Sequence, residues 1–168
     1  MRSHLKLRTA LAGSLVAAFL FGAADGQPQT GEVPRDTVIT LERTECYGFC
    51  PSYILTITAD GSVIFEGRRH VKKLGAAKST ISRERLLALI GEFEKINYFE
   101  LRDRYEDNSD GCKEWRIDHP SAITSITVNG KSKSVRHYYG CIGLDVLAKL
   151  ESLEQAIDEA ANTAQWIR

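Results

Sequence analysis

A two-residue alternation of apolar and polar positions sets in at residue 37. In "TVITLERT" (37–44) Ile39 and Leu41 fall on one side of an extended chain, which predicts a first strand. Beyond "ECYGFCP", Tyr53, Leu55, Ile57 and Ala59 alternate with Ile54, Thr56 and Thr58. Asp60-Gly61 reads as a two-residue hairpin turn with both residues at positive φ, and "SVIFEG" (62–67) returns with Val63 and Phe65 on the side of Leu55 and Ile57. "RRHVKKLGAAKSTI" (68–81) reads as a third strand, broken near Gly75-Ala76-Ala77. The period then lengthens to that of a helix. Ser82 is a suitable N-cap for "RERLLALIGEFEKI", in which Leu86, Leu89, Ile90 and Phe93 form one apolar stripe. Gly91 weakens the last turn of that helix by about 1 kcal/mol relative to alanine. "RDRYEDNSDGCKEWRIDHPS" (102–121) sustains no period, is rich in turn formers and reads as a long loop. A second hairpin follows, "AITSITV" and "KSKSVRHYY" around Asn129-Gly130. A second helix runs from about Leu144 to Ala161, with Leu147, Leu150, Leu153 (Glu154 beside it) and Ile157 on one side. Trp166 and Ile167 are expected to fold back onto the core.

The element order β-β-β-α-β-β-α predicts an α+β fold, an antiparallel sheet of about five strands with two helices on one face. With 43% hydrophobic and 26% charged residues among 168, the chain has the composition of a globular protein with a real core. Residues 37–168 are read as one domain, behind a leader, "DGQPQTGEVPRD" (25–36), rich in Gly, Pro and polar side chains.

The first 24 residues differ in kind. Arg2, Lys6 and Arg8 precede the apolar "LAGSLVAAFLFGAA", which ends in small residues at Gly22-Ala23-Ala24. This three-part layout predicts a secretory signal peptide cleaved after Ala24, and hence a periplasmic or extracellular protein. The apolar run falls short of the ~20 residues a spanning helix needs, and no cysteine ends it for lipid attachment. Cleavage takes Lys+Arg from 22 to 19 against 22 Asp+Glu, a net charge of about −3. That balance disfavours nucleic acid as a partner, since phosphate binding requires a basic surface.

Export also decides how Cys46, Cys50, Cys112 and Cys141 are read. In an oxidising compartment an even cysteine count points first to disulfides, of which three connectivities exist here. The Asn129-Gly130 turn brings the ends of the second hairpin together, where Cys112 and Cys141 are able to meet. Cys46 is then left with Cys50 in a tight loop that Gly48 permits. In the chain-entropy description the Cys112–Cys141 closure contributes about 3.5 kcal/mol and the Cys46–Cys50 closure about 2. Cys46-x-x-x-Cys50-Pro51 also resembles the copper site of Sco-type chaperones, whose third ligand here would be His70, His119 or His137. In those proteins the motif opens a helix, whereas Pro51 leads into strand text. A Cys₄ zinc site ordinarily uses two closely spaced pairs, and Cys112 and Cys141 are far apart in sequence.

Catalytic signatures are missing. The chain has no Gly-x-Ser-x-Gly elbow, His-Glu-x-x-His, Walker loop or dinucleotide fingerprint, so neither a catalytic residue nor a cofactor is assigned. "EDNSDG" (106–111) places Asn108, Asp110 and Gly111 like the start of a calcium loop, but Ile117 stands where the bidentate Glu belongs, and a solvated acidic loop is the favoured reading. The basic run Arg68, Arg69, His70, Lys72 and Lys73 reads as one solvated edge strand, with contact to an anionic partner as the alternative. Tyr47 and Phe49, flanking Gly48 in the stapled loop, either form a rigid contact patch or tuck onto the sheet.

With these elements placed, "CYGFCPSYILTITADGSVIFEG" resembles the opening of the domain-of-unknown-function 6438 family: Cys46, Gly48, Cys50, Pro51, Tyr53, Asp60 and Gly61 match its Cys-x-Gly-x-Cys-Pro-x-Tyr motif and Asp-Gly turn. "FEKINYFEL", "VNGKSKSVRHYYG" and the closing "TAQWI" extend the resemblance over nearly all of residues 37–168. It implies a secreted or cell-envelope bacterial setting and no activity, cofactor or catalytic residue. The function expected is therefore an exported, disulfide-stabilised, non-catalytic binding module with a protein or small-molecule partner, Tyr47, Gly48 and Phe49 being its interaction loop. The alternative is a thiol-redox or copper(I)-handling protein using Cys46 and Cys50.

Overall fold

The computed structural model describes residues 31–167; the segments read as signal peptide (1–24) and as the first part of the leader (25–30) lie outside them. The chain opens with a four-strand meander, β1 (Val38–Arg43), β2 (Ser52–Thr58), β3 (Ser62–Arg69) and β4 (Gly75–Thr80), followed by helix α1 (Arg83–Lys95). After β5 (Arg104–Tyr105) and β6 (Glu114–Trp115) comes the long hairpin of β7 (Ser121–Val128) and β8 (Lys131–Tyr138). The chain closes with β9 (Cys141–Ile142), α2 (Asp145–Ala161) and the four-residue α3 (Ala164–Ile167). The main sheet has the order β4-β3-β2-β1-β7-β8-β5, antiparallel except for β5 beside β8, while β6 and β9 pair separately.

The α+β class holds, with an antiparallel sheet carrying the helices, but the strands are more numerous than five and α3 is an added helix. Three local reasons account for the difference. First, segment 68–81 is not one broken strand. β3 continues to Arg69, His70 takes a positive φ of 53°, Gly75 one of 70°, and the chain returns as β4. The basic run accordingly spans the end of an interior strand and a turn, not an edge strand. Second, residues 102–121 include β5, β6 and a 3-10 turn at Asn108–Asp110, whose pieces are too short to carry a period. Third, the first hairpin has a three-residue connection in which Gly61 alone has positive φ. Asp60 instead accepts hydrogen bonds from Thr58 Oγ1 (2.7 Å), Ser62 N (3.1 Å) and Ser62 Oγ (2.8 Å). The second hairpin has the two-residue turn expected, with Asn129 and Gly130 at φ 51° and 73°.

Register places the core. Leu41 pairs with Leu55 and Leu55 with Phe65, while Ile39 pairs with Ile57 and Ile57 with Val63, so these side chains share one buried face. Against it lie Leu86, Leu89, Ile90 and Phe93 of α1 and Leu147, Leu150, Leu153 and Ile157 of α2. Ser82 Oγ accepts from the Arg85 amide and caps α1 as the pattern predicts. Trp166 turns back onto the sheet, its ring stacked on Phe65 at 4.9 Å. Residues of the opposite sheet phase, such as Thr40, Thr56, Ile64 and Ser125, face away from this core and are half-buried or exposed.

Candidate functional site

The same alternation that buries Ile39 and Leu41 points Arg43 inward, at the end of β1 where apolar packing runs out. Its guanidinium is taken up by side chains from β2, from the residue following β8, and from α2. Arg43 Nε donates to Tyr53 Oη (3.0 Å) and Asp158 Oδ2 (2.9 Å), and Nη1 donates to the hydroxyl of Tyr139 just past β8 (2.6 Å). Arg43 Nη2 lies 2.8 Å from Asp158 Oδ2. Asp158 Oδ1 accepts from Tyr53 (2.6 Å) and Thr163 (2.9 Å). Tyr139 Oη donates in turn to Glu154 Oε2, and Glu154 Oε1 meets Nδ1 of the buried His137 at 2.9 Å. Glu154 is itself only 1% exposed and sits on the apolar stripe of α2.

Every carboxylate oxygen of this cluster is engaged, as buried charges require. Burial alone opposes the charge of Arg43, but Asp158 with the two tyrosines outweighs it and holds the guanidinium more firmly protonated than usual. Burial, reinforced by Asp158, pushes the Tyr53 phenol up; burial, reinforced by Glu154, does the same for Tyr139. Both phenols are therefore held protonated, as donors to Asp158 and Glu154. Arg43, Tyr139, Asp158 and Thr163 line a polar cleft of about 760 Å³, together with Arg85 and Glu151. The arrangement is a closed hydrogen-bond network that clamps α2 to the sheet. In the sequence its signals are Arg43 on the core phase of β1 and Glu154 on the apolar stripe of α2, and no motif joins them.

The cysteines lie in two pairs at disulfide distance, Cys46–Cys50 with Cα atoms 5.7 Å apart and Cys112–Cys141 with 5.3 Å. The second pair joins the 102–120 excursion to the open end of the β7–β8 hairpin, where Trp115 pairs with Cys141. The first closes the loop between β1 and β2. Tyr47 and Phe49 at its tip are 90% and 88% exposed, so neither tucks onto the sheet.

The three candidate histidines do not gather. His137 is bound to Glu154, His119 faces Tyr138 at 6.4 Å, and His70 alone reaches the cysteine loop, its ring edge-on to Phe49 at 5.1 Å. Among the described residues no cluster of three or more His, Cys, Asp or Glu side chains is arranged to hold a metal. Asp110 of "EDNSDG" turns inward rather than toward solvent, accepting from Arg104 Nε (3.2 Å) and the Glu106 amide (3.1 Å). Asp110 alone of this loop is buried; Asp107, Asn108, Ser109 and Gly111 are exposed, as a solvated loop requires.

Fold and site together define a disulfide-stapled α+β module with a closed polar clamp and an exposed aromatic loop. The chain belongs to the family described as Domain of unknown function (DUF6438), which it matches over residues 37–161, from the start of the sheet to the end of α2. A comparison with curated proteins finds no match. No helix among the described residues is long and apolar enough to cross a membrane.

Proposed function

We propose that the protein is an exported, non-catalytic module of the bacterial cell envelope that binds its partner through the Cys46–Cys50 loop. The observation that carries this reading is the near-complete exposure of Tyr47 and Phe49 (90% and 88%) on a loop whose ends are covalently joined. Large apolar side chains held rigidly in water lose little conformational entropy on contact, the property that makes such residues binding anchors. The self-satisfied Arg43 network supports a structural rather than a catalytic role for the most polar part of the interior. Export rests on the three-part N-terminal sequence and on four cysteines in two pairs.

Photo-crosslinking in the native host tests the binding role. A benzoyl-phenylalanine at position 49 is expected to give a discrete adduct, absent when the same group replaces exposed Glu151 on α2. Equal yields at both positions would remove the loop from consideration. Fractionation and the N-terminal sequence of the same material test export, with the chain expected outside the cytoplasm and beginning at Asp25.

One observation favours a second reading, thiol-redox or copper(I) handling by Cys46 and Cys50: His70 is the histidine beside the loop. Thiol titration separates the two. Two bridges that resist reductant at glutathione-like potential support the binding module, whereas selective opening of Cys46–Cys50 with stoichiometric copper(I) uptake supports the alternative.

A further inference from the structure

The Cys46–Cys50 loop shares its end of the sheet with a second projection. Ser52, just past the loop, pairs with Arg69 at the end of β3, and Arg69 Nη1 lies 2.7 Å from Glu45 Oε2. His70 then meets Phe49, so the turn at 70–74 rises beside the cysteine loop. This turn is held in place. The Lys73 amide donates to the Trp166 carbonyl (2.9 Å), and residue 67 is glycine where a Cβ would collide with the Lys73 carbonyl oxygen.

Two neighbouring, anchored projections thus present Tyr47, Phe49 and Leu74, the last 62% exposed. Their charges are uneven. Arg68 and Arg69 are paired with Glu42 and Glu45, while Lys72 and Lys73 are exposed and belong to no ion pair among the described residues. Unpaired cations beside projecting aromatic and aliphatic side chains match an anionic lipid interface. There, aromatic rings lie at headgroup level, ammonium groups meet phosphates and apolar tips enter the acyl boundary. A protein hot spot differs, because its anchors lie centrally in a patch ringed by further contacts. Here the apolar side chains stand on two separate turns, and Lys72 and Lys73 directly precede Leu74 on the second, all of them exposed.

We propose that the Cys46–Cys50 loop and the 70–74 turn together form a docking surface for an anionic lipid bilayer. This deepens the preceding proposal and rests on its assignment of the loop as the contact surface. Binding is peripheral and reversible, with charge attraction and shallow insertion both required.

Flotation of the purified, oxidised protein with vesicles provides the test. It is expected to float with vesicles of equal parts phosphatidylglycerol and phosphatidylcholine, and not with phosphatidylcholine alone. Tyr47→Ser with Phe49→Ser, and separately Lys72→Glu with Lys73→Glu, should each lower partitioning on the order of tenfold or more. All four side chains are exposed, so an unchanged thermal melt accompanies each loss. Phe49→Trp should show a blue-shifted emission on the anionic vesicles only. Failure to float, or flotation indifferent to Tyr47 and Phe49, overturns the lipid assignment. A protein adduct from position 49 without vesicle binding overturns the lipid assignment while leaving the loop as the contact surface; absence of both removes the loop as well.

Discussion

Arg43 and Asp158 meet twice, with Nε at 2.9 Å and Nη2 at 2.8 Å from the same carboxylate oxygen, Oδ2. The other oxygen is thereby left for Tyr53 and Thr163, and the last turns of α2 are fixed over the end of β1. Breaking this pair from one side strands a charge. Arg43→Ala leaves Asp158 and Glu154 without their cation and is expected to destabilise by about 2 kcal/mol, less than the ~3–5 of a fully buried pair because water reaches both partners. Denaturant unfolding measures it. In a double-mutant cycle Asp158→Ala should cost much less in the Arg43→Ala background than alone.

The two bridges should contribute unequally. Replacing Cys112 and Cys141 by serine is expected to remove about 3.5 kcal/mol, and replacing Cys46 and Cys50 about 2, since the longer ring restrains the unfolded chain more. Guanidinium unfolding midpoints of the two double variants give the order.

Asp60 predicts an acid limb. Hydrogen bonds from Thr58 and Ser62 hold its carboxyl down to about 2, against 3.8 unperturbed. The folded state therefore takes up the proton less readily than the unfolded chain. Stability contributed by Asp60 is full above the unfolded value and is lost as pH falls through that interval toward about 2. Asp60→Asn should flatten the stability slope across that window and leave it unchanged near neutrality, as read from thermal melts at graded pH.

Gly61 and Gly130 offer a controlled comparison. Both have positive φ, 80° and 73°, but a Cβ at 61 would strike the Ile81 carbonyl while a Cβ at 130 meets open space. Gly130→Ala is expected to lose about 1 kcal/mol, the conformational term alone. Gly61→Ala should lose clearly more, because the Ile81 N–H to Gly61 carbonyl bond (2.9 Å) joins the same two residues and would be displaced with it. Paired denaturation curves check the difference.

Sustained periodicity made the long elements legible: Ile39 to Phe65 alternate, Leu86 to Phe93 and Leu147 to Ile157 recur at helical spacing, and each set is buried. What escaped is what has no period. β5, β6 and β9 are two residues each, and they exist because Asp110 and the Cys112–Cys141 link fold the excursion inward. The polar clamp is a tertiary object assembled from Arg43, Tyr53, Tyr139, Glu154 and Asp158, whose separations in sequence say nothing of their meeting. The side taken by Tyr47 and Phe49 was equally undecidable, since an aromatic beside a glycine suits core and surface alike.

The Cys112–Cys141 link makes a covalent ring of the entire β7–β8 hairpin together with the exposed stretch at Lys113, Arg116 and His119. A protease that cuts once within this ring frees no fragment. The two new ends stay tethered through sulfur, and the molecule gains the mass of one water while migrating as a single chain until it is reduced.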